Sequence, residues 1–393
     1  MGKTREYEIV LFGATGYTGQ LTAEYLARHA GADLRWALAG RNLDKLKVVR
    51  ARLTDIAAHC RTLPLLQAEV GDAASMQRLA ESAKVVITTV GPYIRYGEPL
   101  VAACAATGTD YVDLTGEPEF VDRMWLRYHD RARASGARIV HCCGFDSIPH
   151  DLGCWFTVQQ LPEDVPLRVQ GFVRAGGRFS GGTLHSAVTA LSRLGEYAKV
   201  RRERRREEGL PLDRHIGAIH HGVRYVEELG TWTLPMPTID PQIVRRSAAA
   251  IARYGPDFRY GHFLQVKKLS TLLQLVGGAG IVLVGSQFKP TRERLLALLD
   301  SGEGPSPSAR ARGWFKVTFL GEGGGKRVRC EVSGGDPGYG ETSKMLAESA
   351  LCLARDRLAK TCGVITPVQA MGNALIERLM RAGIAFRVAE ARS

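Results

Sequence analysis

Four clusters of residues in this chain have the types and spacing to do chemistry. The first is Gly13-Ala14-Thr15-Gly16-Tyr17-Thr18-Gly19. Glycine lets a backbone approach an anion closely and point N–H groups at it, and a helix starting there adds a favourable dipole. Gly13 permits a tight turn, Gly16 keeps a Cβ out of the path of a pyrophosphate, and Gly19 lets the helix pack on its strand. The Thr15 and Thr18 hydroxyls are candidates to meet phosphate as well. The bland alternative is a glycine-rich turn that holds no ligand. One unit later comes Leu38-Ala39-Gly40-Arg41-Asn42. An acidic residue there would hold ribose hydroxyls and repel a 2′-phosphate, whereas Arg41 offers that phosphate a planar fork of donors. Together these predict a dinucleotide site that prefers NADP(H) to NAD(H). Asp72 is either a neighbour of the adenine or the cap of a helix over 75–82. Gly91 and Pro92 end a strand where the chain passes the ribose on the nicotinamide side.

The second cluster is Gly91-Pro92-Tyr93-Ile94-Arg95-Tyr96-Gly97. A phenol can donate a proton or a hydrogen bond to a developing enolate, which makes Tyr93 and Tyr96 the catalytic candidates. The alternative is that both only pack the loop. The third, Asp113-Leu114-Thr115-Gly116-Glu117, either orients a ligand or caps a helix starting near Glu119. The fourth runs from His141 through Cys142, Cys143, Asp146 and His150 to Asp151. His and Cys raise the idea of a metal or a thiol nucleophile. Neighbours on a strand alternate faces, so this run cannot converge on one ion, and no metal site is expected. No tyrosine is followed four positions later by lysine, which argues against a short-chain dehydrogenase.

The elements that must position these residues are legible in the first 150 positions. Apolar runs at 8–12, 34–39, 63–69, 85–90, 110–114 and 138–142 alternate with helical patterns such as 43–59, 99–107 and 119–135. That rhythm means βαβ units and a parallel sheet with ligands at the strand carboxyl ends. After about residue 155 the rhythm changes. A strand over 167–174, a long helix over 183–206 ending in a basic run, and an alternating hairpin at 314–320 and 326–333 predict a second, α+β domain. Helices over 342–358 and 367–382 are expected to pack back on the first domain. The expected division is 1–153 for the Rossmann-type dinucleotide domain, 154–338 for an α+β domain facing substrate or lipid, and 339–393 for the C-terminal helices.

With 393 residues, 45% hydrophobic and 24% charged, the chain has ample material for a large core. The formal net charge of +13 draws anions. No zinc-finger spacing or aromatic RNA-binding pattern accompanies it, so no nucleic-acid partner is expected. Eight cysteines without a C-x-x-C read as reduced thiols, and no apolar leader precedes the first strand. Both point to a cytoplasmic protein. Leu269–Phe288 carries no charge. Its glycines and polar residues favour a buried or interfacial segment over a membrane span, leaving 269–288 as the place for any peripheral membrane contact. The loop 301–312 is expected to be an exposed excursion.

GATGYTG, LAGRN, TTVGPYIRYGEPLVAACAATGTDYVDLTGE, CCGFDSIPHD and GVITPVQAMGNALIERL resemble the saccharopine dehydrogenase-like oxidoreductases over nearly the whole chain. Within them the chain is most similar to the actinobacterial trans-acting enoyl reductases, which work beside polyketide synthases that lack their own enoyl reductase domain. The resemblance implies a Rossmann domain, a second domain and NADP(H), held by Gly13, Gly16, Gly19, Arg41 and the Gly91–Tyr96 loop. It implies reduction of an α,β-unsaturated acyl or polyketide thioester in lipid biosynthesis. A polyketide synthase carrier protein then becomes a possible partner, with Arg201–Arg206 as its dock or merely a solvated helix end. Two alternatives remain at this stage: a saccharopine-type amino-acid or imine dehydrogenase, and an NADP-binding protein at lipid membranes without turnover. Oligomeric state is not legible.

Overall fold

The computed structural model describes residues 5–176, 192–209, 213–271 and 304–392, with scattered positions between 272 and 303. Its first layer is a parallel sheet of β1 (Tyr7–Phe12), β2 (Trp36–Gly40), β3 (Leu65–Gln67), β4 (Ala83–Thr88), β5 (Asp110–Val112) and β6 (Arg138–Val140). A seventh strand comes from near the C-terminus, Gly363–Ile365, beside β6. From the outer edge inward the order runs β3-β2-β1-β4-β5-β6, the doubly wound arrangement, with the late strand closing the far edge.

The central strands are apolar on both faces because helices cover both. Ile9 and Leu11 join one core cluster with Leu26 and Leu46, which lie on α1 (Tyr17–His29) and α2 (Leu43–Ile56). Val10 and Phe12 point the other way, toward Met76 and Leu79 of α3 (Ala73–Ser82), then Leu100 and Phe120. A one-turn helix α4 (Tyr93–Tyr96), α5 (Glu98–Thr107) and α6 (Pro118–Ser135) complete that face. A left-handed glycine ends α5 at Gly108 and α6 at Gly136, as helix C-termini favour.

The chain leaves this domain through α7 (Ile148–Val158) and enters a second sheet. β7 (Leu167–Gly176), β8 (His215–Ala218), β9 (Arg224–Val226), β10 (Thr231–Pro235), β11 (Asp257–Val266), β12 (Trp314–Gly323) and β13 (Lys326–Gly334) belong to it. The expected hairpin is β12–β13, paired from Phe315↔Gly334 to Gly323↔Lys326 around Gly324 and Gly325. β7 and β8 both run parallel to β11, so the sheet is mixed. α7 lies tightly on it: a Cβ at Gly153 would stand 2.3 Å from the Phe319 ring.

Two further helices belong to this half, α8 (Leu194–Glu208) and α9 (Asp240–Ala250). The helix expected over 183–206 starts instead at Leu194, after a turn at Ser192 and Arg193, and runs to Glu208; 183–191 lie outside the described residues. The final segment holds α10 (Gly340–Arg355), β14 (Gly363–Ile365), α11 (Pro367–Arg381) and β15 (Ala385–Arg392). α10 lies against α1, where the Tyr25 hydroxyl donates to Glu348 at 2.7 Å. β14 extends the first sheet and β15 pairs with β13 of the second. The C-terminal stretch therefore fastens both halves. Residues 304–312 differ from the expected excursion. The Tyr17 hydroxyl donates to the Pro305 carbonyl at 2.6 Å and the Arg310 guanidinium lies over the Tyr17 ring, which docks this stretch at the start of α1.

Candidate active site and cofactor cradle

The first turn of α1 follows β1 through Gly13, whose φ of +88° is left-handed backbone. A Cβ on Gly19 would stand 2.2 Å from the Gly13 carbonyl oxygen, and one on Gly13 would stand 2.7 Å from the Thr89 hydroxyl. These two glycines allow strand, turn and helix to pack. Gly16 is different. It is exposed, and a Cβ there would meet nothing nearer than 3.5 Å, so its smoothness is spent on the outside of the turn. No side chain caps α1. Its first N–H groups lack an intrahelical partner by geometry and are available to an anion. The Thr15 and Thr18 carbonyls accept from Gln20 Nε2 and the Thr22 hydroxyl, each at 2.9 Å. This turn fits the pyrophosphate of a dinucleotide.

Arg41 follows β2 and is exposed, while Asn42 caps α2 by accepting from the Lys45 N–H at 2.9 Å. Asp72 is exposed and caps α3, accepting from the Ala74 N–H at 2.9 Å, with Arg78 3.7 Å away. Gly91-Pro92 follows β4, joined by a cis peptide bond. Tyr93 and Tyr96 share a single helical turn but not an environment. Tyr93 is 5% exposed, donates its hydroxyl to the Thr88 carbonyl at 3.1 Å and packs on Phe120. Burial, then the charge of Asp113, pushes its phenol well above the usual range. Tyr96 is 44% exposed.

Glu117 does something that its sequence position does not reveal. It stands at the N-cap of α6 but does not cap it. Its carboxylate instead accepts from the Tyr93 N–H at 3.0 Å and the Ile94 N–H at 2.8 Å, fixing the start of α4 from below. Asp113 is buried at the end of β5. It accepts from the Tyr111 hydroxyl (2.9 Å), the Thr115 N–H (3.1 Å) and the Cys142 N–H (3.0 Å), and lies 2.6 Å from His141 Nδ1. It ties the carboxyl ends of β5 and β6 together.

The fourth cluster divides for a reason other than the expected strand alternation: β6 ends at Val140, His141 lies in the loop after it, and His150 and Asp151 lie on α7. His141 turns to Asp113. Asp151, fully buried, accepts from the Ser247 hydroxyl at 2.7 Å and the Val368 N–H at 3.0 Å, joining α7 to α9 and α11. His150 meets two residues far away in the chain, Asp240 on α9 and His262 on β11. No local pattern marked either of them. The eight cysteines are all unpaired, and seven are buried. Burial pushes the Cys142 and Cys143 thiols well up, which does not suit a nucleophile.

Doubly wound sheet, glycine turn and a basic residue after the second strand define an NADP-binding dehydrogenase. Residues 9–140 match the saccharopine dehydrogenase NADP binding domain. The chain is 38% identical to the trans-acting enoyl reductase of Mycobacterium bovis, over 97% of each chain. It is 36% identical to that of Mycobacterium leprae, again over 97% of each. A Mycobacterium tuberculosis protein provisionally given the same name is 42% identical over 98% of this chain and 97% of its own. Saccharopine dehydrogenase (L-Glu forming) from Saccharomyces cerevisiae shares the fold, with a TM-score of 0.58 at 12% identity, covering 98% of this chain and all of that one. The chain belongs to the saccharopine dehydrogenase-like oxidoreductases, in the group of the trans-acting enoyl reductases. It is an NADP-dependent oxidoreductase.

Among the described residues no helix is long and apolar enough to cross a membrane. Most of 269–288 lies outside the described residues, although its two ends, Leu269 and Phe288, are 48% and 61% exposed.

Proposed function

We propose that this protein reduces an α,β-unsaturated acyl thioester. The observation that carries the reading is 36–38% identity over nearly the full length to proteins named trans-acting enoyl reductases, on a chain whose first helix opens from a glycine turn without a side-chain cap. Bound NADPH supplies the hydride, which goes to the β-carbon of the acyl chain. The protein's own residues do the rest. The N–H groups at the start of α1 hold the pyrophosphate, and Arg41 holds the 2′-phosphate. Gly91 and Pro92 shape the wall beside the nicotinamide ribose. Asp72 contributes to the adenine side chiefly by fixing α3. Tyr96, the exposed phenol of the pair, hydrogen-bonds the developing enolate or delivers the proton to the α-carbon. Tyr93 holds the loop in place.

The substrate would arrive as a thioester on an acidic carrier protein. Arg202, Arg205 and Arg206 are exposed on α8, and burial, then the charges of Arg201 and Arg205, lower the pKa of Arg245. Such a basic face suits an acidic partner and a phosphopantetheine phosphate. Leu269 and Phe288 leave room for a lipid contact at 269–288, which liposome flotation would register.

The test is NADPH consumption with a crotonyl-pantetheine thioester, set against an oxo acid plus amine. Consumption with the thioester alone supports the reading. Consumption with only the oxo acid and amine assigns the protein to imine reduction instead.

A further inference from the structure

His150, Asp240 and His262 meet where α7 passes α9 and β11. All three are buried, at 0%, 0% and 5% exposure. One ligand atom from each can be chosen so that all lie within 4.8 Å of one another. His150 Nε2 stands 3.8 Å from Asp240 Oδ1, and His262 Nε2 stands 3.4 Å from Asp240 Oδ2. Neither ring nitrogen of His150, nor His262 Nε2, nor Asp240 Oδ1 has a hydrogen-bond partner among the described residues.

That combination is costly as it stands. A buried polar atom without a partner loses its hydration and regains nothing, and a buried carboxylate loses more. Proton sharing gives limited relief, because these separations exceed a good hydrogen bond. Apolar residues would fill the space at lower cost. We propose that the three side chains form a site for one divalent transition-metal ion, of which Zn²⁺ is the best match. Two imidazoles and a carboxylate are borderline ligands that suit Zn²⁺. Tetrahedral ligands at about 2.0–2.1 Å from a metal lie roughly 3.4 Å apart, and the three side chains here, with ligand atoms within 4.8 Å of one another, would draw in on the ion. One ion would use one nitrogen of each histidine and one carboxylate oxygen of Asp240.

The surroundings are those of a metal site. His262 Nδ1 lies 3.1 Å from the buried Tyr260 hydroxyl, a contact that fixes the ring and leaves Nε2 to face the carboxylate. The Thr238 hydroxyl donates to Asp240 Oδ2, so the second carboxylate oxygen is also held. The Phe145 ring packs edge-on against His150 at 5.1 Å and limits its freedom to turn. Three protein ligands leave a fourth position for a water. Because the ligands come from α7, α9 and β11, an ion here would also tie these three elements together.

The experiment measures metal, not turnover. Full-length protein is expressed in zinc-supplemented medium, desalted without chelator and analysed by inductively coupled plasma mass spectrometry. About one Zn²⁺ per chain is expected, falling at least roughly tenfold in His150→Gln and in His262→Gln. If those variants do not fold, the wild type answers alone. After chelator treatment it should take up Co²⁺ with new visible absorption bands that Zn²⁺ displaces. The proposal is overturned if the wild type carries no stoichiometric metal and gains no Co²⁺ bands. It is equally overturned if folded variants keep full metal content, and the three residues are then a polar contact among α7, α9 and β11. NADPH titration of the same samples reports the cofactor site separately, so failure here leaves the proposed reaction standing.

Discussion

At Arg41 a single guanidinium stands where an acidic side chain would favour the unphosphorylated cofactor. Arg41→Ala removes a charge-assisted contact to the 2′-phosphate. NADPH affinity should fall by roughly 10- to 100-fold while NADH affinity changes little, read by titration with each cofactor. Glu117 is the second residue with a sharp expectation. Its two oxygens receive two amides of α4 in a buried place, and Glu117→Gln can satisfy only one with its oxygen. Stability should drop by about 1–2 kcal/mol in urea unfolding, with a matching loss of activity as the Tyr96 loop loosens. These two residues also show what was legible beforehand. The place of Arg41 after the second strand was readable, and its proposed role rests on that place. The role of Glu117 was not, because its targets lie 23 and 24 positions upstream and only the folded sheet brings β4 and β5 ends together. The same holds for His150: it sits on α7 rather than on a strand with His141, and nothing local announced Asp240 or His262.

Among the elements, the turn into α1 carries the clearest contrast. Gly19→Ala would push a methyl group into the Gly13 carbonyl, so the helix must move off the strand and the protein should lose both stability and NADPH binding. Gly16→Ala meets only an ordinary contact with the Gly13 carbonyl at 3.5 Å and should fold normally, yet weaken NADPH by intruding on the pyrophosphate. Thermal melts and cofactor titration on both variants separate packing from binding. A different element, β14, has a pH-sensitive anchor. His129 Nδ1 accepts from the Val364 N–H at 3.2 Å, and burial holds the ring's pKa below its usual value. A depressed histidine pKa contributes stability above about pH 6.5 that is lost as pH falls toward the folded pKa. The Tm gap between wild type and His129→Asn should therefore shrink between pH 7.5 and 5.5. The strands and helices of the first domain were largely readable from periodicity. β14 was not, because three residues carry no period and gain their meaning from the free edge of β6.

For the molecule as a whole, the last 55 residues act less as an appendage than as a fastener. β14 closes one sheet, β15 extends the other, and α10 covers the face between α1 and β4. A chain ending at residue 338 would expose two strand edges and the apolar face under α10. It should be recovered insoluble, or soluble without NADPH binding, as fractionation and titration would show. Composition foresaw helices there, but not that the segment would be divided between two sheets. The account's central claim is that NADPH held at the α1 turn passes hydride to the β-carbon of an unsaturated thioester. The direct measurement uses NADPH carrying deuterium on the transferred face of nicotinamide C4, a crotonyl-pantetheine thioester and mass spectrometry of the product. The account predicts a butyryl product with one deuterium at the β-carbon. Unchanged thioester, or a reduced product whose β-carbon carries no label, would contradict it.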